Sequence, residues 1–396
     1  MRFASHYDKG CYLIFLDVGY DNLDGKPLIK ENLLKNISFN KFIFKESTNN
    51  NIIFIFAFVE FGCELLIPHY LLPQICNDNP DKKIIVLGWH GRHFLYSHLV
   101  DEFWEIKEEH MWLKDTVRAM HHHSKNIRKL EMLFSEIGYV IPSFRLGNLL
   151  MQSECRSCGK KFGSKSKKNI CPRCHESNIS HSYFADPISA RKKYCALASI
   201  SAEAKNWAAQ FARPNMVGIF ARNRKAYGRN LSFAFYKQLV CDLLKKGFTP
   251  IWLGEKCSVH DCPEGAIDFS SIEEARNLEN IIALVSMCSF TIQLWTASTR
   301  ISFEAKCPFL LVESPDQLYG AGQEGIRLDL LDINNLPKKI ILSNYKKAVE
   351  NIETFNSIIM SGIDQLLSKN YDHLIGLVDD HDFVSNLIEK YKNDKL

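Results

Sequence analysis

Four cysteines fall into two pairs, Cys155-x2-Cys158 and Cys171-x2-Cys174, with twelve residues between the pairs. A Cys-x2-Cys turn presents two sulfurs on one side of an ion. Two such turns complete a tetrahedron of thiolates, the arrangement that Zn2+ prefers. Gly159 and Pro172 suit the tight turns that aim backbone amides at the sulfurs. The segment around them, residues 153–182, is polar and carries Lys160, Lys161, Lys165, Lys167 and Lys168 but few core-forming side chains. Metal binding must therefore supply much of its folding free energy. Four protein ligands leave no open position for an activated water, so the ion is expected to be structural. His175 offers an imidazole beside Cys174, but thiolate is the softer donor.

A different chemistry is suggested by polar loops that each follow a short apolar run. Arg222-Asn223-Arg224-Lys225, then Arg229-Asn230, follow Val217–Ala221. Several cations beside a helix start suit a diphosphate, and a solvated basic loop is the plain alternative. Trp295-Thr296-Ala297-Ser298-Thr299-Arg300 follows Phe290–Leu294; its hydroxyls can cap a helix, and the same amides can hold a phosphate. Gly254-Glu255-Lys256 follows Pro250–Leu253, and a glycine-bearing loop from Ser314 to Arg327, with Gln323 and Glu324, follows Phe309–Glu313. None of these matches a Walker P-loop or a G-x-G-x-x-G fingerprint.

The elements that must position these loops read as alternating strands and helices. Tyr12–Leu16, Ile52–Phe56 and Lys83–Leu87 are apolar runs in the first third, as expected for strands buried on both faces of a parallel sheet. Glu64–Ile75 and Lys114–Ile137 read as helical, and the segment from Ser201 as a capped linker helix. Beyond Met216 the series repeats. Leu231, Phe235, Leu239 and Leu243 mark a helix ended by Gly247, Leu278–Val285 a second and Ser302–Lys306 a third. The last fifty residues read as helical, with Phe355, Ile358, Ile359, Leu366 and Leu367 as a stripe. This alternation predicts an α/β protein built on doubly wound parallel sheets.

Composition narrows the class. At 396 residues the chain is long enough for two or three domains, and 46% apolar with 24% charged residues is ordinary for a folded, water-soluble protein. The longest apolar stretch, Asn51–Cys76, is broken by Glu60, Glu64 and His69, so no membrane span is expected. Met1-Arg2-Phe3 opens without the charged and apolar regions of an export signal. A reducing cytoplasm is then the expected compartment, with the nine cysteines outside the two pairs acting as small buried hydrophobes. A net charge of +4 does not by itself call for a nucleic-acid partner.

The paired cysteines resemble a zinc ribbon. The stretch from Met216 to about Leu330 resembles the donor-binding domain of GT-B glycosyltransferases, nearest to the ADP-heptose lipopolysaccharide heptosyltransferases, through Gly218–Arg229, Pro250–Lys256 and Phe290–Pro308. Where those enzymes carry an Asp-x-Gly-Pro-x-His turn, this chain has Thr296-Ala-Ser-Thr-Arg300. The resemblance implies two Rossmann-like domains facing a cleft with a nucleoside-diphosphate sugar in it. Residues 1–150 would form the acceptor-side domain, 151–183 the ribbon, 199–335 the nucleotide-sugar domain and 336–396 a helical segment. Arg222, Arg224, Lys225, Arg229, Gly254, Glu255, Lys256, Thr296, Ser298, Thr299, Arg300, Gln323 and Glu324 would line the donor site. Glu60, Glu64 and His90, with Asp17 behind them, would be the general-base candidates. No strand ends in an Asp-x-Asp pair, so no divalent ion is expected at the diphosphate. The competing readings are a non-catalytic nucleic-acid-binding ribbon protein and a nucleotide-sugar hydrolase or epimerase on the same fold. The acceptor stays unidentified; a macromolecule contacted by the ribbon is one option.

Overall fold

In a computed structural model of the protein, the described residues are 11–13, 52–57, 72–89, 91–106, 134, 139–141, 151–159, 161–163, 171, 174–177, 179–183, 198–223, 230–256, 258–294, 296–315 and 336–393. They divide into two compact units, Met1–Ser199 and Ile200–Leu396.

The first unit is built on strands β1 (Cys11–Leu13), β2 (Ile52–Phe56), β3 (Lys83–Trp89), β4 (Glu102–Ile106) and β5 (Tyr139–Ile141). They pair in the order β1-β4-β3-β2-β5, all parallel, with Phe54 opposite Ile85 and Val86 opposite Phe103. Ile53–Phe56 and Ile84–Trp89 are buried, apart from Gly88 all apolar, because helices are needed on both faces of a parallel sheet. Phe54, Phe56 and Trp104 close around Phe134, with ring centroids 4.8 Å apart for Phe54–Phe134 and 5.5 Å for Phe56–Phe134. The described helices here are α1 (Leu72–Asp78) and α2 (His93–Tyr96). Of the expected helix over 64–75, the described part is the turn from Leu72; the one over 114–137 lies outside the described residues except for buried Phe134. The cysteine module adds its own antiparallel sheet, β6 (Met151–Cys155), β7 (Lys161–Gly163) and β8 (Ile179–Tyr183), in the order β7-β6-β8.

The second unit opens with α3 (Ala202–Ala209), capped by Ser201, whose hydroxyl accepts from the Ala204 amide at 3.2 Å. Its strands are β9 (Met216–Phe220), β10 (Thr249–Leu253), β11 (Ile267–Asp268), β12 (Phe290–Leu294), β13 (Phe309–Glu313), β14 (Lys338–Leu342) and β15 (Leu374–Ile375). The order is β11-β10-β9-β12-β13-β14-β15, every pair parallel. From β9 the chain first adds strands on one side, then returns to add four on the other. That reversal between β9 and β12 is the topological switch point of a doubly wound sheet.

Helices cover both faces. α4 (Phe233–Lys245), α7 (Tyr345–Glu350) and α8 (Ile352–Leu367) contribute Phe235 and Leu239, Tyr345, and Phe355 and Ile359 in turn to the core that holds Val217, Ile219 and Ile292. On the other face Phe303 of α6 (Ala297–Glu304) and Val384 and Ile388 of α9 (His381–Asn393) meet Phe309, Leu311 and Ile340. α5 (Leu278–Val285) packs beside α3. Each such apolar side chain removed from water contributes roughly 1.5–3 kcal/mol.

Three sequence expectations change. The helix placed at Ser302–Lys306 starts five residues earlier, because Thr296 caps it. The carboxyl-terminal stretch is not only helical: β14 and β15 extend the sheet. In α8 the buried stripe runs Phe355, Ile359, Ile363, Leu366, while Leu367 is half exposed.

Candidate functional site

The four cysteines converge. Their sulfurs all lie within 4.8 Å of one another, with Cys155 Sγ 3.4 Å from Cys174 Sγ and Cys158 Sγ 3.6 Å from Cys171 Sγ. A disulfide needs about 2.05 Å, while the edge of a tetrahedral zinc–thiolate site is about 3.8 Å. The two halves repeat one local fold. The Gly159 amide donates to the Cys155 carbonyl at 2.8 Å, and the His175 amide to the Cys171 carbonyl at 3.0 Å. Both turn residues are left-handed, Gly159 at φ 67° and His175 at φ 61°. His175 is thus the turn residue of the second knuckle.

The electrostatics ask for a cation. Burial works against the Cys155 thiolate, yet the Cys158 and Ser157 amides and the neighbouring thiols outweigh it and hold its pKa below the ordinary value. For Cys174 the Glu176 amide favours the thiolate, but burial and the other three thiols push its pKa up to about 12. Thiolates crowded this closely repel one another. A tetrahedral cation removes that conflict, so the residues fit a metal ion.

The second cluster lies on the carboxyl edge of the larger sheet. Since β9, β10, β12 and β13 are parallel, the loops after Phe220, Leu253, Leu294 and Glu313 leave the same edge. Arg222 follows β9, and the α6 start follows β12, so the two flank the switch point. Ligands of open α/β sheets bind there. Thr296 caps α6 by accepting from the Ser298 amide at 3.3 Å, and its hydroxyl meets the Ser298 hydroxyl at 2.7 Å. Behind this turn Ser302 lies 2.8 Å from the Thr291 hydroxyl and donates to Gln293 Oε1 at 3.2 Å, tying α6 to β12. Gln293 Nε2 and Thr299 Oγ1 are buried without a hydrogen-bond partner among the described residues. Between the α4 start and β12–β13 is a small apolar recess lined by Leu231, Tyr236, Ile292, Leu294 and Val312. Burial pushes the Tyr236 hydroxyl well above its ordinary pKa, against a smaller opposing effect of the Arg222 charge.

The remaining sequence candidates sort as follows. Gly254, Glu255 and Lys256 are exposed on the loop after β10. Gly254 has φ 122°, and a Cβ there would sit 2.6 Å from Val259 Cγ1. Arg300 is buried on α6, its guanidinium 5.7 Å from the Phe303 ring centre. Arg224, Lys225, Arg229, Gln323, Glu324, Glu60, Glu64 and His90 lie outside the described residues. Sequence reasoning passed over Tyr236, Gln293, Ser302 and His260. No local pattern marks them; only the fold brings them to this edge.

No protein-family profile and no curated protein matches the sequence. Solved structures do. A glycosyl transferase of family 9 from Veillonella parvula DSM 2008 superposes with a TM-score of 0.52 at 10% identity, over 82% of this chain and 99% of that one. The chain has the fold of that family 9 glycosyltransferase. An ADP-heptose lipopolysaccharide heptosyltransferase II from E. coli gives a TM-score of 0.48 at 12% identity, over 81% of this chain and 99% of that one. Two α/β sheets and a cysteine module that fits a zinc ribbon therefore stand as the sequence reading had them. Among the described residues no helix is long and apolar enough to cross a membrane, and Cys76, Cys241, Cys262, Cys288, Cys307 and the four paired cysteines are free of disulfides.

Proposed function

We propose that this chain is a glycosyltransferase that binds a nucleoside-diphosphate sugar at the carboxyl edge of its second sheet and passes the sugar to an acceptor held by the first. The observation that carries this reading is the coincidence of Arg222 and the α6 amino terminus at the switch point of a sheet whose fold is that of a glycosyltransferase. As the sugar bond breaks, the departing diphosphate gathers negative charge. Fixed cations and helix amides stabilise it there, so the reaction runs without a divalent ion. Arg222 leads this set, followed by Arg224, Lys225 and Arg229 in the same loop, with Thr296, Ser298 and Thr299 supplying the α6 turn. Arg300, Gly254, Glu255, Lys256, Gln323 and Glu324 complete the proposed donor-site set.

The general base comes from the first unit. Its β4-β3-β2-β5 order repeats the reversal of the second sheet, with the switch between β2 and β5. Glu60 and Glu64 follow β2, whereas His90 follows β3, one strand away. The two carboxylates are therefore the stronger candidates for taking the acceptor hydroxyl's proton. The cysteine module holds one structural Zn2+ through Cys155, Cys158, Cys171 and Cys174, and the absence of a disulfide among the described cysteines suits a reducing cytoplasm.

Titrating the protein with ADP, UDP, GDP and CDP, then with the sugar conjugates of the tightest binder, tests the reading. Saturable binding of one nucleoside diphosphate with release of sugar to an acceptor supports it. Salt-sensitive binding to nucleic acid alone supports the ribbon-protein reading instead.

A further inference from the structure

Residues 258–260, which follow β10, do not run out into solvent. They turn back and pair antiparallel with residues 221–223, which follow β9: the Asn223 amide donates to the Ser258 carbonyl at 2.8 Å and the His260 amide to the Ala221 carbonyl at 3.1 Å. Gly254 makes the return possible, since only a glycine tolerates φ 122° with Val259 so close. The His260 carbonyl accepts from Trp252 Nε1 at 2.9 Å, anchoring the segment to β10. The His260 ring then reaches the other way, with Nε2 2.9 Å from the Leu231 carbonyl. Because a carbonyl can only accept, that nitrogen is the protonated one. The ring also packs 5.5 Å from Tyr236 and 6.0 Å from Phe233, on the first turn of α4.

Ala221 is the residue before the basic loop, and Leu231 is the residue after it. His260 therefore holds both ends of the segment Arg222–Asn230, one through its backbone and one through its ring. We infer that His260 is a positioning residue: its ring is fixed on the Leu231 carbonyl and its amide on the Ala221 carbonyl, which sets the backbone that carries Arg222 toward a nucleoside diphosphate. The inference rests on the donor-site reading above. Holding the Arg222 backbone in place before the ligand arrives removes an ordering cost from binding, and a backbone released by loss of the ring contact loses that advantage.

The test is calorimetric titration with the nucleoside diphosphate that the wild-type chain binds most tightly, on His260→Phe and His260→Gln. Phenylalanine keeps the ring contacts and removes the donor; glutamine can carry an N–H to the Leu231 carbonyl. The expected result is roughly tenfold weaker binding for His260→Phe and recovery to within about threefold of wild type for His260→Gln. In an Arg222→Ala background, His260→Phe should add little, since the side chain it positions has gone. If His260→Phe does not fold, His260→Asn against His260→Gln asks the same question, because the shorter amide falls short of Leu231. Wild-type binding with all His260 variants unchanged, or full additivity with Arg222→Ala, overturns this positioning role. Absence of any nucleoside-diphosphate binding by the wild type overturns the donor-site reading instead.

Discussion

Arg222→Ala is the most informative single change, because the structure separates its chemical cost from its structural one. The backbone on both sides is held without the side chain: Asn223 donates to Ser258, and His260 to Ala221. Trimming the guanidinium leaves those backbone bonds and the buried strand before them in place, and a thermal melt reads any remaining structural cost separately from binding. What is lost is one charge-assisted contact to a diphosphate, worth roughly 1.5–3 kcal/mol. At about 1.4 kcal/mol per decade, that is on the order of tenfold to a hundredfold in dissociation constant. Arg222→Lys should recover part of this, since a point charge replaces the planar fork. Arg222→Ala/Arg224→Ala should be weaker than either single variant. The assay is calorimetry with the preferred nucleoside diphosphate, at two salt concentrations, alongside a thermal melt. Unchanged affinity in Arg222→Ala/Arg224→Ala, with the melt intact, would refute the placement of the diphosphate at this switch point.

Purified, reduced protein should contain about one zinc per chain, and Cys158→Ser or Cys171→Ser should release it while both parallel sheets keep their far-ultraviolet signature; metal analysis showing no zinc, or iron in its place, refutes the assignment. Turnover should be insensitive to EDTA and to added Mg2+ or Mn2+, and strict dependence on either ion counts against a diphosphate held by cationic side chains. Glu60→Gln or Glu64→Gln should cut kcat by a hundredfold or more, on the order of 10²–10⁴, while leaving donor affinity within about twofold; if both variants turn over normally, the base lies elsewhere. Tyr345→Phe removes the hydroxyl that lies 2.9 Å from Glu313 Oε1 and 3.1 Å from the Val312 carbonyl, both buried. It should cost about 1–3 kcal/mol in urea unfolding with donor binding unchanged, and an undisturbed unfolding midpoint would show that those oxygens find other partners.

What the sequence revealed and what it hid follow from which interactions are local. Ile52–Phe56, Phe290–Leu294 and Phe309–Glu313 stand out in the sequence because strands covered on both faces are mostly apolar, with Thr291, Gln293 and Glu313 as the exceptions. The paired cysteines were legible for a similar reason: two residues between ligands is a constraint of one turn. β14 was hidden by Lys338 and Lys339. Lys339 is 1% exposed, and its ammonium reaches the Asn370 carbonyl at 3.3 Å, a partner that no local pattern announces. β11 and β15 are two-residue edges, shorter than any periodicity can register.

α6 shows the same divide more sharply. Its sequence, Ala-Ser-Thr-Arg-Ile-Ser-Phe-Glu, carries no apolar stripe, so a helix was read only from Ser302 onward. Yet Ser298, Thr299, Arg300, Ser302 and Glu304 are all buried. Burying so many polar groups is tolerable only where partners wait, and Thr291 and Gln293 of β12 provide them for Ser302. Where that provision stops, Gln293 Nε2 and Thr299 Oγ1 have no partner among the described residues, close behind the turn that faces the switch point. A fold that places a polar helix beside the reversal of strand order in its second sheet gives up local stability there. Sites that must exchange their own hydrogen bonds for a ligand's are built that way.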